Sequence, residues 1–398
     1  MLKIGLIGCG MIAEQGHLPA IKQVPELQIY ALYDRNFERA VELQQHFSVP
    51  HAYKTEEEFY SSDIDAVVIC TPAPVHHKNV LDAAKAKKHV LCEKPLAMTE
   101  KDMLEMEKVM NDAELQFFIG FNYRFSQSSI DIHRLLRERA IGEVRLLRLI
   151  YNWHLHGKWE INEDGEQVDT ALRKGRMDEG GPLVDCGVHQ IDLARWWLES
   201  EVEWQHGIGV WLDTYEAPDH VYLHMGHDCG AHTKVEVSFS YNATSRDPRT
   251  HFQYELIGTD GVIRYNREEH SFELRNSHGT QYLPWHPEKS FAGMYREFAK
   301  ALASGKPGDM PTAHDGILAS RIARTATEEA IHNRDNPSRN NPSSKMTAAD
   351  VHVHADPEEI PIDFLDLPLK LKKSRDRQPG RSLSPNPAKE KPGGSKDT

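Results

Sequence analysis

A lysine set between an acid and a proline is the first stretch of this chain that could do chemistry. Glu93-Lys94-Pro95 closes the apolar run Val90-Leu91-Cys92. Proline fixes its own φ and disfavours the helical region for the residue before it, so Lys94 is expected in an extended or turn geometry at a strand's carboxyl end. Ligands of open α/β sheets bind at that edge. A second stretch, Asp185-Cys186-Gly187-Val188-His189, spaces an acid and an imidazole at i and i+4, just after Gly180-Gly181-Pro182. On a helix such a pair shares one face, and an imidazole titrates near neutrality, as a general base or acid must. Taken singly, each stretch also has a plain role: a strand stop with a solvated lysine, or a solvated helix-surface pair.

A third stretch supplies a cofactor chemistry. Gly8-Cys9-Gly10-Met11-Ile12-Ala13 follows the apolar Lys3–Ile7 and precedes a helical pattern. The first glycine permits a tight turn, the second lets backbone approach a pyrophosphate, and Ala13 still allows close helix–strand packing. The N–H groups at the helix start, Met11 and Ile12 among them, then face the anion. Asp34 lies 26 residues beyond Gly8, at the end of the second expected strand. Its carboxylate suits the two ribose hydroxyls and repels a 2′-phosphate, favouring NAD, whereas Arg35 beside it could pair a 2′-phosphate and leaves NADP open. Thr71-Pro72-Ala73-Pro74-Val75-His76 closes the third expected strand and makes a rigid shelf, with His76 expected to line the cofactor or serve structure.

These stretches need an alternating frame. Strands are expected at Lys3–Ile7, Leu27–Tyr33, Ala66–Cys70, Val90–Cys92 and Gln116–Gly120, with helices at 12–23, Phe37–His46, Pro74–Ala86 and Glu100–Asn111. Alternation at this spacing implies βαβ units around a parallel sheet. After about residue 123 the pattern changes to helices at Gln127–Ala140 and 183–199 and strands at Val144–Trp153, 203–214, 219–225, 233–241, 251–257, 262–266 and 271–275. Residues 157–179 read as a long polar loop, Gly258-Thr259-Asp260-Gly261 as a turn, and 291–303 and 315–333 as closing helices. The expected organisation is a dinucleotide-binding α/β domain at 1–123, then an α+β substrate and oligomerisation domain at 124–335 with a large, mostly antiparallel sheet. Residues 336–398 are expected to be a largely disordered tail, since 370–398 carries nine Lys/Arg against three Asp/Glu amid Pro and Gly. The apolar 360–371 within it could dock as an extended arm.

Composition narrows the classes. The 398 residues exceed one ordinary core, and a formal charge of −13 argues against general nucleic-acid binding. No apolar run reaches bilayer length, the chain opens directly into a strand, and its five scattered cysteines lack CxxC spacing. These features point to a cytoplasmic protein with reduced thiols and no membrane or nucleic-acid partner. His154 and His156 share a strand face, but no third metal ligand stands at a matching interval, and no metal is expected. Tyr282, Trp285 and His286 could cap a sugar by stacking or simply pack.

The order of the blocks is more specific than any one of them. The glycine turn, Thr71-Pro72…His76, Glu93-Lys94-Pro95, Gly120-Phe121-Asn122-Tyr123-Arg124-Phe125 and Gly180-Gly181…Asp185-Cys186-Gly187-Val188-His189-Gln190-Ile191-Asp192 follow one another. Over about residues 1–335 the chain resembles the glucose–fructose oxidoreductase / inositol dehydrogenase / rhizopine catabolism (Gfo/Idh/MocA) family of NAD(P)-dependent oxidoreductases. That resemblance implies a Rossmann domain, a catalytic set of Lys94, Asp185 and His189, and a cis peptide before Pro95. It also implies cofactor contacts from Gly8, Gly10, Met11, Ile12, Asp34, Arg35, Thr71, Pro72, His76, Glu93, Lys94 and Asn122, and substrate contacts from Lys94, Tyr123, Asp185 and His189. Tyr123 stands where many relatives carry arginine, and Ala73 where many carry asparagine. The implied reaction moves a hydride between a secondary alcohol of a sugar, sugar acid or cyclic polyol and nicotinamide, in a homodimer or homotetramer. Relatives that retain NAD for glycoside cleavage or epimerisation, and non-enzymatic regulators that sense dinucleotide, are the alternatives. The regulators tend to lose the lysine or histidine, both of which are present here.

Overall fold

The computed structural model describes residues 1–154, 159–162, 165–169, 171–242, 245 and 249–334. The expected tail at 336–398, its arm at 360–371, and His156 lie outside the described residues. Six strands form the first sheet: β1 (Leu2–Ile7), β2 (Leu27–Tyr33), β3 (His51–Tyr53), β4 (Ala66–Ile69), β5 (His89–Cys92) and β6 (Phe117–Ile119). Their order is β3-β2-β1-β4-β5-β6 and every pairing is parallel. Strands covered on both faces by helices must be apolar throughout, and β4 (Ala-Val-Val-Ile) is buried at all four positions. The order reverses between β1 and β4, where a doubly wound sheet opens its ligand crevice.

The second sheet has eight strands. They are β7 (Val144–Asn152), β10 (Val202–Val210), β11 (His220–His227), β12 (His232–Ser238), β13 (His251–Gly258), β14 (Gly261–Asn266), β15 (Ser271–Asn276) and β16 (Gly279–Tyr282). The order is β10-β11-β12-β7-β13-β14-β15-β16, antiparallel throughout except for the parallel β12–β7 pair. One face is apolar: Val221, Leu223, Val235, Val237, Leu147, Leu149, Tyr254 and Leu256 are buried. The helix Ala313–Arg334 joins the two sheets. Its Gly316 lies so close to Ile119 that a Cβ would sit 2.7 Å from Ile119 Cδ1, and Gly207 of β10 meets the Ala326 carbonyl as tightly. One core cluster accordingly runs from Ile69 and Val90 through Phe121 and Tyr123 to Leu147 and Val235, so the two sheets are held on one packed interior.

The expected polar loop at 157–179 is not a loop. It contains the short pair β8 (Trp159–Ile161) and β9 (Gln167–Asp169), followed by the helix Ala171–Asp178. Its charge-rich composition hid these elements because none of them needs a long apolar face. The strands expected at 203–214 and 233–241 also end earlier, at Val210 and Ser238.

Candidate active site

Five parallel strands deliver the expected cofactor residues to one edge. Gly8 follows β1, Asp34 follows β2, Thr71 comes two residues after β4, Glu93 follows β5, and Asn122 comes shortly after β6. Gly8 has φ +93°, and a Cβ there would lie 2.7 Å from the Cys70 carbonyl carbon, so only glycine fits. Around Gly10 the position of a Cβ is open, with nothing within 4 Å. Met11 and Ile12, large apolar residues, remain 61% and 41% exposed beside it. Asp34 accepts the Cys9 N–H at 2.7 Å and the Asn36 N–H at 2.8 Å, which pins the glycine turn to β2 and leaves lone pairs on both oxygens. Arg35 is exposed and unpaired among the described residues. The Asn122 side-chain oxygen is buried with no partner among the described residues. An open cradle, a strand-end carboxylate and an orphaned amide oxygen together fit a dinucleotide.

The Lys94–Pro95 peptide is cis, as the resemblance implied. Behind it runs a buried chain that sequence reading missed. His17 lies with Nδ1 2.6 Å from the Tyr295 hydroxyl and Nε2 3.0 Å from Glu93 Oε1, while Glu93 Oε2 accepts the Lys94 N–H at 3.1 Å. Burial works against the Glu93 charge, but the His17 hydrogen bond and the nearby Lys94 hold its carboxyl below the ordinary range. Glu93 therefore spends both oxygens inside the turn. His76 does the same from the other side, its ring nitrogens 3.0 Å from the Pro95 carbonyl and 2.7 Å from the Thr71 carbonyl. Burial lowers its basicity.

Lys94 reaches across to the second half of the chain. Its Nζ donates to Asp185 Oδ1 at 2.5 Å and to the Asp185 carbonyl at 2.9 Å. Burial opposes the ammonium charge, but Asp185 outweighs it, so Lys94 is held above its ordinary 10.5 and stays cationic. Asp185 does not sit on an α-helix with His189 as the i,i+4 spacing implied. Leu183–Gly187 is a π-helical turn and the α-helix starts at Val188. The wider i→i+5 turn changes the angular spacing on which that one-face reading rested. Asp185 spends its carboxylate on Lys94 and on Arg176 Nη1, 2.8 Å from Oδ2. Arg176 is the second residue missed, because it lies on the helix that read as loop.

His189 is buried with Tyr123 stacked flat on it, centroids 4.2 Å apart and planes 2° apart, and with Phe121 edge-on at 5.6 Å. Its Nδ1 has no hydrogen-bond partner among the described residues. Burial first, then the Lys94 and Lys289 charges, push its pKa well below 6.5, against a smaller opposing pull from Asp185. The ring is therefore neutral at pH 7. Neighbouring Arg124 fixes the Asn122–Phe125 turn to the helix Val188–Leu198, its Nε donating to Asp192 Oδ2 at 2.8 Å in a buried pair. Breaking such a pair costs on the order of 3–5 kcal/mol. Trp285, the other aromatic candidate, stacks at 6.3 Å on Tyr265, whose hydroxyl donates to the His286 carbonyl, so that loop packs on the second sheet.

Known proteins resemble both halves of this chain. The profile described as "Oxidoreductase family, NAD-binding Rossmann fold" matches residues 2–121, and "GFO/IDH/MocA C-terminal domain" matches 130–264. The myo-inositol 2-dehydrogenase of Thermotoga maritima is 30% identical over 349 residues, 84% of this chain and 97% of the relative. The inositol 2-dehydrogenase of Acidothermus cellulolyticus is 25% identical over 82% of this chain and 92% of its own length. A crystal structure of a probable dehydrogenase from Thermotoga maritima superposes with a TM-score of 0.68 at 25% identity, covering 84% of this chain and 98% of the other.

Proposed function

Because the chain belongs to the Gfo/Idh/MocA family of NAD-binding oxidoreductases, we propose that it oxidises a secondary carbinol of a sugar, sugar acid or cyclic polyol with Lys94, Asp185 and His189 as its catalytic set. The observation that carries the residue assignment is the charge arrangement: a cationic Lys94 locked on Asp185 beside a buried, neutral His189. Gly8, Gly10, Met11, Ile12, Asp34, Thr71, Pro72 and Asn122 would hold the dinucleotide, with Glu93 and His76 shaping the turn that carries Lys94. Bound nicotinamide supplies the hydride acceptor.

The rest is done by this chain. A carbinol loses its O–H proton as hydride leaves its carbon. Neutral His189 takes the proton, since an imidazole without a proton on one nitrogen is the available acceptor. Lys94 keeps its charge through Asp185 and stabilises the developing alkoxide in a water-poor setting. Tyr123 holds the imidazole plane by stacking, the work a hydrogen bond does for most catalytic histidines. Asp185 offsets the ammonium charge and orients it.

No helix among the described residues is long and apolar enough to cross a membrane, and we read the protein as cytoplasmic. Trp204, Ile208 and Val210 on the edge strand β10, with Leu212 beyond it, are exposed, which fits self-association as a homodimer or homotetramer. A monomer by light scattering would remove that reading.

The direct test is nicotinamide absorbance with a panel of sugars, sugar acids and inositols, run with each cofactor. NAD is expected to win, and Asp34→Ala to erode the preference. Lys94→Ala should lower kcat by about 10²–10³-fold, the scale of removing one preorganised donor from a developing oxyanion. Wild-type turnover in that variant would refute the assignment.

A further inference from the structure

The substrate side of the site carries more positive charge than its carboxyls balance. Lys94 and Arg176 both bind Asp185, on different oxygens, at 2.5 and 2.8 Å. Lys289 is a third cation, close enough to depress the basicity of His189 and 5.7 Å from the centroid of the Tyr123 ring. The next carboxyl, Glu179, is made less acidic by burial and by Asp185, and it feels Lys94 and Arg176 ahead of Arg324, which donates to its backbone carbonyl. Tyr151 and Cys186, the other titratable neighbours of Arg176, are kept protonated by burial. Among the described residues, three cations therefore face two carboxyls, one of them made less acidic by burial, around the point where a carbinol would react.

Arg176 has donors to spare. A guanidinium offers five N–H bonds in a planar fork, and only Nη1 has a partner among the described residues. Its side chain is 34% exposed, against 15% for Lys94 and 5% for Asp185. A lysine would orient Asp185 as well. What an arginine adds is the paired, coplanar recognition of a second carboxylate. A neutral polyol would leave the excess charge and the spare donors unmet, and desolvating unpaired charge is costly.

We propose that Arg176 binds a carboxylate carried by the substrate, so that the substrates are polyhydroxy carboxylates of the aldonic or uronic acid class and not neutral sugars or inositols. This rests on the dehydrogenase reading above and narrows it. Arg176 acts on binding: the carboxylate docks at its free nitrogens while the carbinol faces His189 and Lys94.

The test uses matched pairs, a hexuronate or aldonate against the corresponding neutral hexose or alditol, with wild type, Arg176→Gln and Arg176→Lys. Calorimetric binding of the acid to the protein without dinucleotide gives a second readout, and thermal melting checks the fold. Wild type should favour the acid by about tenfold or more in kcat/KM. Arg176→Gln should raise KM for the acid about tenfold or more beyond any change for the neutral partner, the scale of one lost charge-assisted hydrogen bond. Arg176→Lys should restore part of the loss. Equal or better use of the neutral partner by wild type, or an equal loss for both substrates in Arg176→Gln, overturns the proposal and leaves the dehydrogenase reading standing. If neither compound reduces either cofactor, the dehydrogenase reading fails, and the calorimetry alone decides for or against Arg176.

Discussion

Two buried histidines, each at a π-helical turn that opens a helix, have opposite environments. His17 ends the turn Ala13–His17 and has a partner at each ring nitrogen, Tyr295 and Glu93. His189 lies just past the turn Leu183–Gly187, stacked on Tyr123 with Phe121 edge-on, its Nδ1 without a partner among the described residues and two ammonium groups near. A buried polar group with its partners made is a structural joint, and leaving one unmade costs about 1–3 kcal/mol. Of these two histidines, it is His189, beside Lys94, at which the fold holds that cost. Satisfaction separates the histidine that positions from the one available to react.

The largest expected effect breaks the comparison if it fails. His189→Ala should lower kcat by about 10²–10⁴-fold, the usual contribution of a general base, with little loss of stability beyond the space it leaves. His17→Ala should do the reverse. It orphans Glu93 and Tyr295, costing about 1–3 kcal/mol in chemical denaturation, and lowers turnover less, through a loosened Lys94 turn. Equal kcat losses at unchanged denaturation midpoints would erase the distinction between the two.

A smaller effect sharpens it. Because His189 is held well below 6.5, it stays neutral through the neutral range, and kcat/KM should be flat there and fall only under more acid conditions. The stability sign is the same. The unfolded chain takes up a proton first as pH drops below about 6.5, so the native state loses stability from there down towards the folded value. His189→Asn should remove that part of the acid sensitivity in denaturation curves measured between neutral and mildly acid pH. An acid limb of kcat/KM centred above 6.5 would contradict the neutral, buried ring.

The cofactor edge was legible residue by residue. Gly8, Asp34, Thr71 and Lys94 each follow an apolar strand, and strand ends can be read from local pattern. Arg176 and His17 were not. Arg176 sits in a charged segment whose helix has no long apolar stripe to betray it. His17 precedes its partner Glu93 by 76 positions and Tyr295 by 278, so nothing local marks the chain they form. The i,i+4 spacing of Asp185 and His189 implied one helix face, and the structure sets a π turn between them instead, because a π turn is a backbone choice that spacing cannot signal.

By itself, then, the amino-acid order determined the alternating frame and the glycine turn and singled out Lys94, Asp185 and His189 as candidates, since each depends on local sterics or on strand ends. Only the tertiary structure decided how the reactive groups are charged. That follows from burial and from which cations gather around Asp185, and both depend on residues brought together from 91 positions apart, as Lys94 and Asp185 are. The Glu93-Lys94-Pro95 turn belongs to both accounts: its proline was plain in the sequence, while the His17–Glu93 joint that anchors it exists only in the fold.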